Sequence, residues 1–140
     1  MNNKPVSSLT EAEARGYSPL ALAFVGDGVY ETFIRTKLLL KANTSANKLH
    51  KEAVSFVRAE AQSLAAKTLL SLLTEEEEAV LKRGRNAHSA TAPKHANITD
   101  YRYATGFEAL LGYLYLTAQE DRLQLIMQKA YEVICESKAI

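Results

Sequence analysis

The stretch Tyr103-Ala104-Thr105-Gly106-Phe107-Glu108-Ala109-Leu110-Leu111-Gly112-Tyr113-Leu114-Tyr115-Leu116 is apolar nearly all round and carries one charge, Glu108. It lacks the period-two alternation of a strand and reads as a central helix enclosed by its neighbours. On that helix the residues three and four away from Glu108 are Ala104, Thr105, Leu111 and Gly112. A lone glutamate in such company needs a cation, from an Arg or Lys side chain or from a metal ion.

A second acid stands in similar surroundings. Leu20-Ala21-Leu22-Ala23-Phe24-Val25-Gly26-Asp27-Gly28-Val29-Tyr30 lies in a segment that Ser18-Pro19 opens as a helix, Ser as N-cap and Pro at the first helical position. Leu22, Val25, Val29 and Phe33 recur at helical spacing and carry the helix to about Lys41. The helical neighbours of Asp27 are Ala23, Phe24, Tyr30 and Glu31, so the acid is expected within an apolar surface. Gly26 and Gly28 flank it, each costing about 1 kcal/mol relative to Ala in a helix interior. They permit close approach of another backbone or of a ligand. Glu31 has two readings, a share in the same site or an i,i+4 ion pair with Arg35.

Working outward, the whole chain reads as all-α. A short helical turn follows Thr10 in an N-terminal arm, residues 1–17, and residues 18–140 form a single domain. Ser45 caps a stretch over about 46–73, rich in Ala, Leu, Glu and Lys, which divides near Val54-Ser55. Thr74-Glu75-Glu76-Glu77 reads as a capping box, with the Glu75–Glu78 run as a solvated first turn and Gly84 as the stop. Residues 85–98 read as a basic loop, Thr99 caps the central helix, and a last amphipathic helix covers about 119–136. Its Leu123, Leu125, Ile126, Met127 and Ile134 are core or dimer packing.

Composition agrees with a globular protein: of 140 residues, 47% are hydrophobic and 24% charged. One cysteine, Cys135, excludes an internal disulfide framework, and neither a signal peptide nor a run of eighteen apolar residues occurs. A cytoplasmic protein with no membrane partner is expected. The net charge of +1 conceals a local concentration. Residues 82–103 hold Lys82, Arg83, Arg85, Lys94 and Arg102 against Asp100 alone, with His88 and His95 added. Such a tract suits a polyanion. The two histidines have no zinc-type spacing.

Two acids on two apolar helices suggest that the helices meet. Facing carboxylates are hard ligands for Mg²⁺, which polarises a phosphodiester and acidifies an attacking water. Beside a basic tract, this points to a metal-dependent nuclease. The competing account is an internal salt bridge from one acid to Arg58 or Arg102.

Both stretches resemble a known family. Leu22-Ala23-Phe24-Val25-Gly26-Asp27-Gly28-Val29 is similar to the ribonuclease III signature L-E-F-L-G-D-[SA]-[VIL]. Thr105 to Leu116 is similar to its second block, D-x-F-E-A-L-[IL]-G-A-[IL]-Y-L. The resemblance covers about residues 18–118. Ala23 stands where the signature has a glutamate, and Thr105 where the second block has an aspartate. The tract Lys82-Arg83-Gly84-Arg85-Asn86-Ala87 and the block from Tyr101 to Glu108 look like the short branch called Mini-ribonuclease III, a catalytic domain alone.

The resemblance implies the ribonuclease III endonuclease-domain fold, a helical bundle forming a homodimer that cleaves double-stranded RNA with Mg²⁺, Mn²⁺ substituting. The implied task is maturation of precursor 23S ribosomal RNA, with a ribosomal protein as a further partner. By position Asp27 and Glu108 are the catalytic and metal-binding pair. Attack by a metal-activated water would leave a 5′-phosphate and a 3′-hydroxyl. With Ala23 and Thr105 in place of carboxylates, more water is expected in the metal shell. Thr105 would hold a metal-bound water without supplying charge. Lys82, Arg83, Arg85, Asn86, His88, Lys94, His95 and Arg102 are the RNA-binding candidates, and Phe24 and Val25 belong to the expected dimer interface. The rival is a helical RNA-binding or ribosome-associated dimer that has lost catalysis, favoured by the missing carboxylates. Against it stands the cost of keeping Asp27 and Glu108 charged inside apolar helices.

Overall fold

The computed structural model describes residues 8–87 and 97–139. Regular structure among them is helical throughout: α1 Glu11–Arg15, α2 Pro19–Lys41, α3 Ala46–Val57, α4 Ala59–Leu69, a 3₁₀ turn at Leu70–Leu72, α5 Glu75–Asn86, α6 Ile98–Leu116 and α7 Glu120–Lys138. None of these helices is long and apolar enough to cross a membrane.

Caps set most of the starts. Thr10 and Glu13 form one capping box and Thr74 and Glu77 another. The Ser18 hydroxyl accepts from the amides of Leu20 and Ala21 with Pro19 behind it, and Ser45 accepts from Lys48. Each such cap contributes about 1 kcal/mol.

The apolar stretch from residue 104 to 114 runs through the middle of the molecule as α6. Every residue of that span except Glu108 is buried. Helices α2, α4 and α5 pack around it, and α7 closes over α4 and α6. Burial of Phe107, Leu110, Leu111 and Leu114 is nearly complete, each side chain contributing about 1.5–3 kcal/mol.

Two pairs of glycines bring backbones together on α6. A Cβ on Gly26 of α2 would collide with the carbonyl of Glu108, and one on Gly112 with the carbonyl of Leu22. On the other side, a Cβ on Gly84 of α5 would lie 2.8 Å from the Ala109 Cβ and 2.9 Å from the Gly106 Cα. Gly84 is therefore a packing residue and not the expected helix stop, and α5 continues to Asn86. Gly28, by contrast, faces open space.

Other expectations shift at the boundaries. The break in the 46–73 stretch falls at Arg58, whose extended backbone separates α3 from α4, not at Val54-Ser55. Asn97 caps α6 by accepting from Asp100, ahead of Thr99. The glutamate run is not simply solvated. Glu77 is 3% exposed and takes two hydrogen bonds from Arg122 of α7, at 2.6 and 2.8 Å. Glu76 pairs with Arg15 of α1 at 2.6 Å and accepts from the Tyr113 hydroxyl. Local pattern alone assigned these acids to a helix start. Their partners lie 45 and 61 positions away in the chain. Leu9 N–H donates to the Leu116 carbonyl at 2.6 Å and Ala14 is fully buried, so the segment from Leu9 to Arg15 packs on the bundle.

Candidate active site

The contact of Gly26 with the α6 backbone determines where its neighbour Asp27 lies. Asp27 and Glu108 come side by side across the α2–α6 crossing, close enough for the Asp27 charge to act on Glu108. Burial first, and then the Asp27 charge, push the Glu108 carboxyl up to about 8. The Gln62 amide pulls the other way, while a hydrogen bond with Asp27 and the charge of Glu31 raise it further. Like charges crowded at a partly desolvated carboxylate call for a cation.

The surroundings differ from expectation at Asp27. That residue is exposed, and so is Phe24 one turn before it, at 83%. Its helical neighbours other than Glu31 are apolar, but among the described residues nothing buries the Asp27 side chain. Glu108 is half-buried. The pair thus has one carboxylate open to solvent and one anchored in the bundle.

Neither arginine of the salt-bridge account reaches the pair. Arg58 lies 3.9 Å from Glu60, and among the described residues no ion pair joins Arg58 or Arg102 to Glu108. What Glu108 does receive is the Gln62 Nε2 amide, at 3.2 Å from its Oε2. Glu31 makes the i,i+4 ion pair with Arg35 at 2.9 Å, and its charge adds to the upward push on Glu108.

Two carboxylates without a basic partner among the described residues suit a hard divalent ion that keeps several waters, as Mg²⁺ does when held by one or two carboxylates. Among the described residues no group of three or more His, Cys, Asp or Glu is arranged around a common point, which is the wrong donor set for a closed zinc site. Ala23 is buried. The Thr105 hydroxyl donates to the Tyr101 carbonyl at 3.0 Å, so its proton is engaged within the helix.

The basic candidates divide. Lys82, Arg83 and Arg102 are exposed, Lys82 pairing with Glu78 at 3.3 Å. Arg85 and Asn86 occupy the last turn of α5, not a loop. Arg85 donates to the Asn86 side chain at 3.1 Å and lies 5.6 Å from the centre of the Tyr103 ring. Lys67 approaches the same ring at 5.0 Å. His88, Lys94 and His95 lie outside the described residues.

Sequence reasoning missed Gln62 and Lys67. The signal for Gln62 was present: a polar amide within the small-residue face Ala61, Ala65 and Ala66 of α4. Lys67 carried no signal, since its partner Tyr103 lies on another helix.

A separate groove of about 880 Å³ runs along the other side of α2, lined among others by Val25, Val29, Phe33, Leu40, Tyr115 and Met127. Leu40 in it is 81% exposed.

The bundle is all-helical, with two acids apposed across its central crossing. Residues 20–119 match the model of the ribonuclease III domain. The chain is 49% identical over 128 residues to the Mini-ribonuclease 3 of Thermoanaerobacter sp., covering 91% of this chain and 90% of that protein. It is 47% identical to the Mini-ribonuclease 3 of Clostridium tetani, covering 91% and 85%. A crystal structure of a Fusobacterium nucleatum protein superimposes with a TM-score of 0.78 at 31% identity, covering 89% of this chain and 98% of that one. The chain belongs to the ribonuclease III family of metal-dependent endoribonucleases, and within it to the Mini-ribonuclease 3 branch.

Proposed function

We propose that this protein is a Mg²⁺-dependent endonuclease of double-stranded RNA in which Asp27 and Glu108 form the catalytic and metal-binding pair. The observation that carries this is the apposition of the two carboxylates, with an amide and no basic side chain as the described partner of Glu108. A divalent ion bound there supplies Lewis-acid polarisation of the phosphodiester and a lowered pKa for the attacking water. Asp27, open to solvent, meets the substrate side, and Glu108, anchored on the central helix, holds position. The expected products carry a 5′-phosphate and a 3′-hydroxyl.

Phosphate contacts come from Lys82, Arg83, Arg85 and Arg102, with Asn86 as a hydrogen-bonding partner. His88, Lys94 and His95 extend the same basic tract in the sequence. Duplex RNA is recognised largely through backbone and 2′-hydroxyl groups, which suits cations on a helix end. The apolar groove along α2 and the exposed Leu40 in it support a homodimer built on that face, with Phe24 exposed on the Asp27 side of the same helix and residues 18–140 as the catalytic unit. Precursor 23S ribosomal RNA in the cytoplasm is the substrate that the branch implies, with a ribosomal protein as accessory.

The test is cleavage of a long RNA duplex by wild type, Asp27→Asn and Glu108→Gln, with Mg²⁺, with Mn²⁺ or with EDTA. Metal-dependent cutting by wild type alone is expected. Cleavage that survives both substitutions would place the site elsewhere.

A further inference from the structure

Gln62 is 2% exposed, and its side chain ties together three parts of the bundle. Its Nε2 donates to the Val57 carbonyl at 2.7 Å and to the Glu108 Oε2 at 3.2 Å. Val57 is the last residue of α3, where carbonyls have lost their intrahelical partners. Glu108 belongs to α6. Gln62 itself stands one turn into α4, just past the break at Arg58.

The orientation of the amide follows from its partners. The Val57 carbonyl can only accept, so the NH₂ end must face it, and turning the group over would set Oε1 against that carbonyl. The consequence is that Oε1 is buried without a partner. An unsatisfied buried carbonyl oxygen is destabilising, and the flanking Ala61, Ala65 and Ala66 show that this face of α4 otherwise packs with small apolar groups. Satisfying the Val57 carbonyl is a folding reason for a donor there, but not for one that also reaches Glu108.

The chemistry of the amide supplies that second reason. An amide fixes a carboxylate by a hydrogen bond while adding no charge. An Arg or Lys at this place would neutralise Glu108 and compete with any cation for it. Gln62 engages one oxygen, Oε2, and leaves the negative charge for an ion shared with Asp27.

We infer that Gln62 is a positioning residue, which holds the Glu108 carboxylate in its metal-binding orientation through a charge-free hydrogen bond anchored on the end of α3. This rests on the assignment of Asp27 and Glu108 as the metal-binding pair.

The experiment measures Mn²⁺ binding, by electron paramagnetic resonance of the free ion, to wild type, Gln62→Met, Glu108→Gln and the double variant. Circular dichroism and thermal melts establish the temperature at which each is folded, and Gln62→Leu replaces Gln62→Met if the latter does not fold. Gln62→Met is expected to weaken Mn²⁺ binding by about tenfold. On duplex RNA it should lower kcat at fixed metal with KM unchanged, recovering at high metal concentration. In the Glu108→Gln background the Gln62 substitution should have no further effect on Mn²⁺. Unchanged Mn²⁺ affinity in folded Gln62→Met, with Glu108→Gln impaired, overturns the inference and leaves the metal site standing. Equal losses in both backgrounds overturn it in favour of a purely structural role. If Glu108→Gln binds Mn²⁺ as wild type does, the metal-site assignment itself falls and this inference with it.

Discussion

Gly26 and Glu108 meet backbone to backbone: a Cβ on Gly26 would collide with the carbonyl oxygen of Glu108. That contact, repeated by Gly112 against Leu22, sets the distance between α2 and α6 and so brings Asp27 beside Glu108. The glycines of the signature thereby act on the acids through helix spacing.

Gly26→Ala and Gly112→Ala should each destabilise the fold by about 3 kcal/mol, because overpacking against backbone has no flexible side chain to move aside. Urea unfolding measures this. A loss below about 1 kcal/mol would mean that α2 and α6 part without cost. Residual activity of the folded fraction should fall as well, since the acids separate with the helices.

The metal-free protein should lose stability as pH rises. Folded Glu108 keeps its proton until about pH 8, whereas an unfolded glutamate loses it near pH ~4.3. Between those values the folded state binds more protons, so its advantage is complete below the lower value and is lost through the upper one. Calorimetry across that window should show a falling melting temperature in wild type and a flatter profile in Glu108→Gln. Mg²⁺ should raise the wild-type melting temperature most at the alkaline end, where no proton competes with it.

Arg122→Ala should cost about 2 kcal/mol, by leaving the Glu77 carboxylate buried without its charged donor. Burial raises the Glu77 pKa, but hydrogen bonds from Arg122 and Thr74 outweigh it and hold the group below its ordinary value. The stability that this acid contributes is therefore present above the usual carboxylate range and lost on acidification. Thermal melts check the cost. Cleavage rate per folded molecule should not change, because this pair lies apart from Asp27 and Glu108.

Leu40→Asp and Phe24→Asp should convert the proposed dimer to monomer in light scattering, since each places a carboxylate on an exposed apolar position of α2. Dimers that persist in both variants would move the interface to another surface.

Lys82→Ala and Arg83→Ala should each weaken duplex RNA binding and lower the slope of log affinity against log salt by about one unit. An unchanged slope would identify the substituted residue as a solvated helix-end charge.

Much of the architecture was legible along the chain. Ser18-Pro19 and the Thr74–Glu77 capping box are local devices, and each stands where the pattern placed it. The apolar span of α6 could be buried in only one way, at the centre. Both acids were legible too, as charges in apolar company. The boundaries at Arg58 and Asn97 were not, because several polar residues in each region are able to end or cap a helix.

Helix type and order follow from short-range chemistry, in which a hydroxyl, a proline or an apolar period acts within one or two turns. Which helix lies against which is a matter of shape, and it made the remaining decisions. Gly84 looked like a helix stop and became a crossing point, since only α6 requires its missing side chain. Glu77 looked solvated until α7 brought Arg122 to it. Asp27 looked enclosed, and the bundle left its face of α2 open. Gln62, a lone amide among the alanines of α4, acquired its place through two acceptors, one on α3 and one on α6. Hydrogen bonds and charges act over a few ångströms in space, whatever the separation in sequence, and only the packed bundle brings their partners within that range.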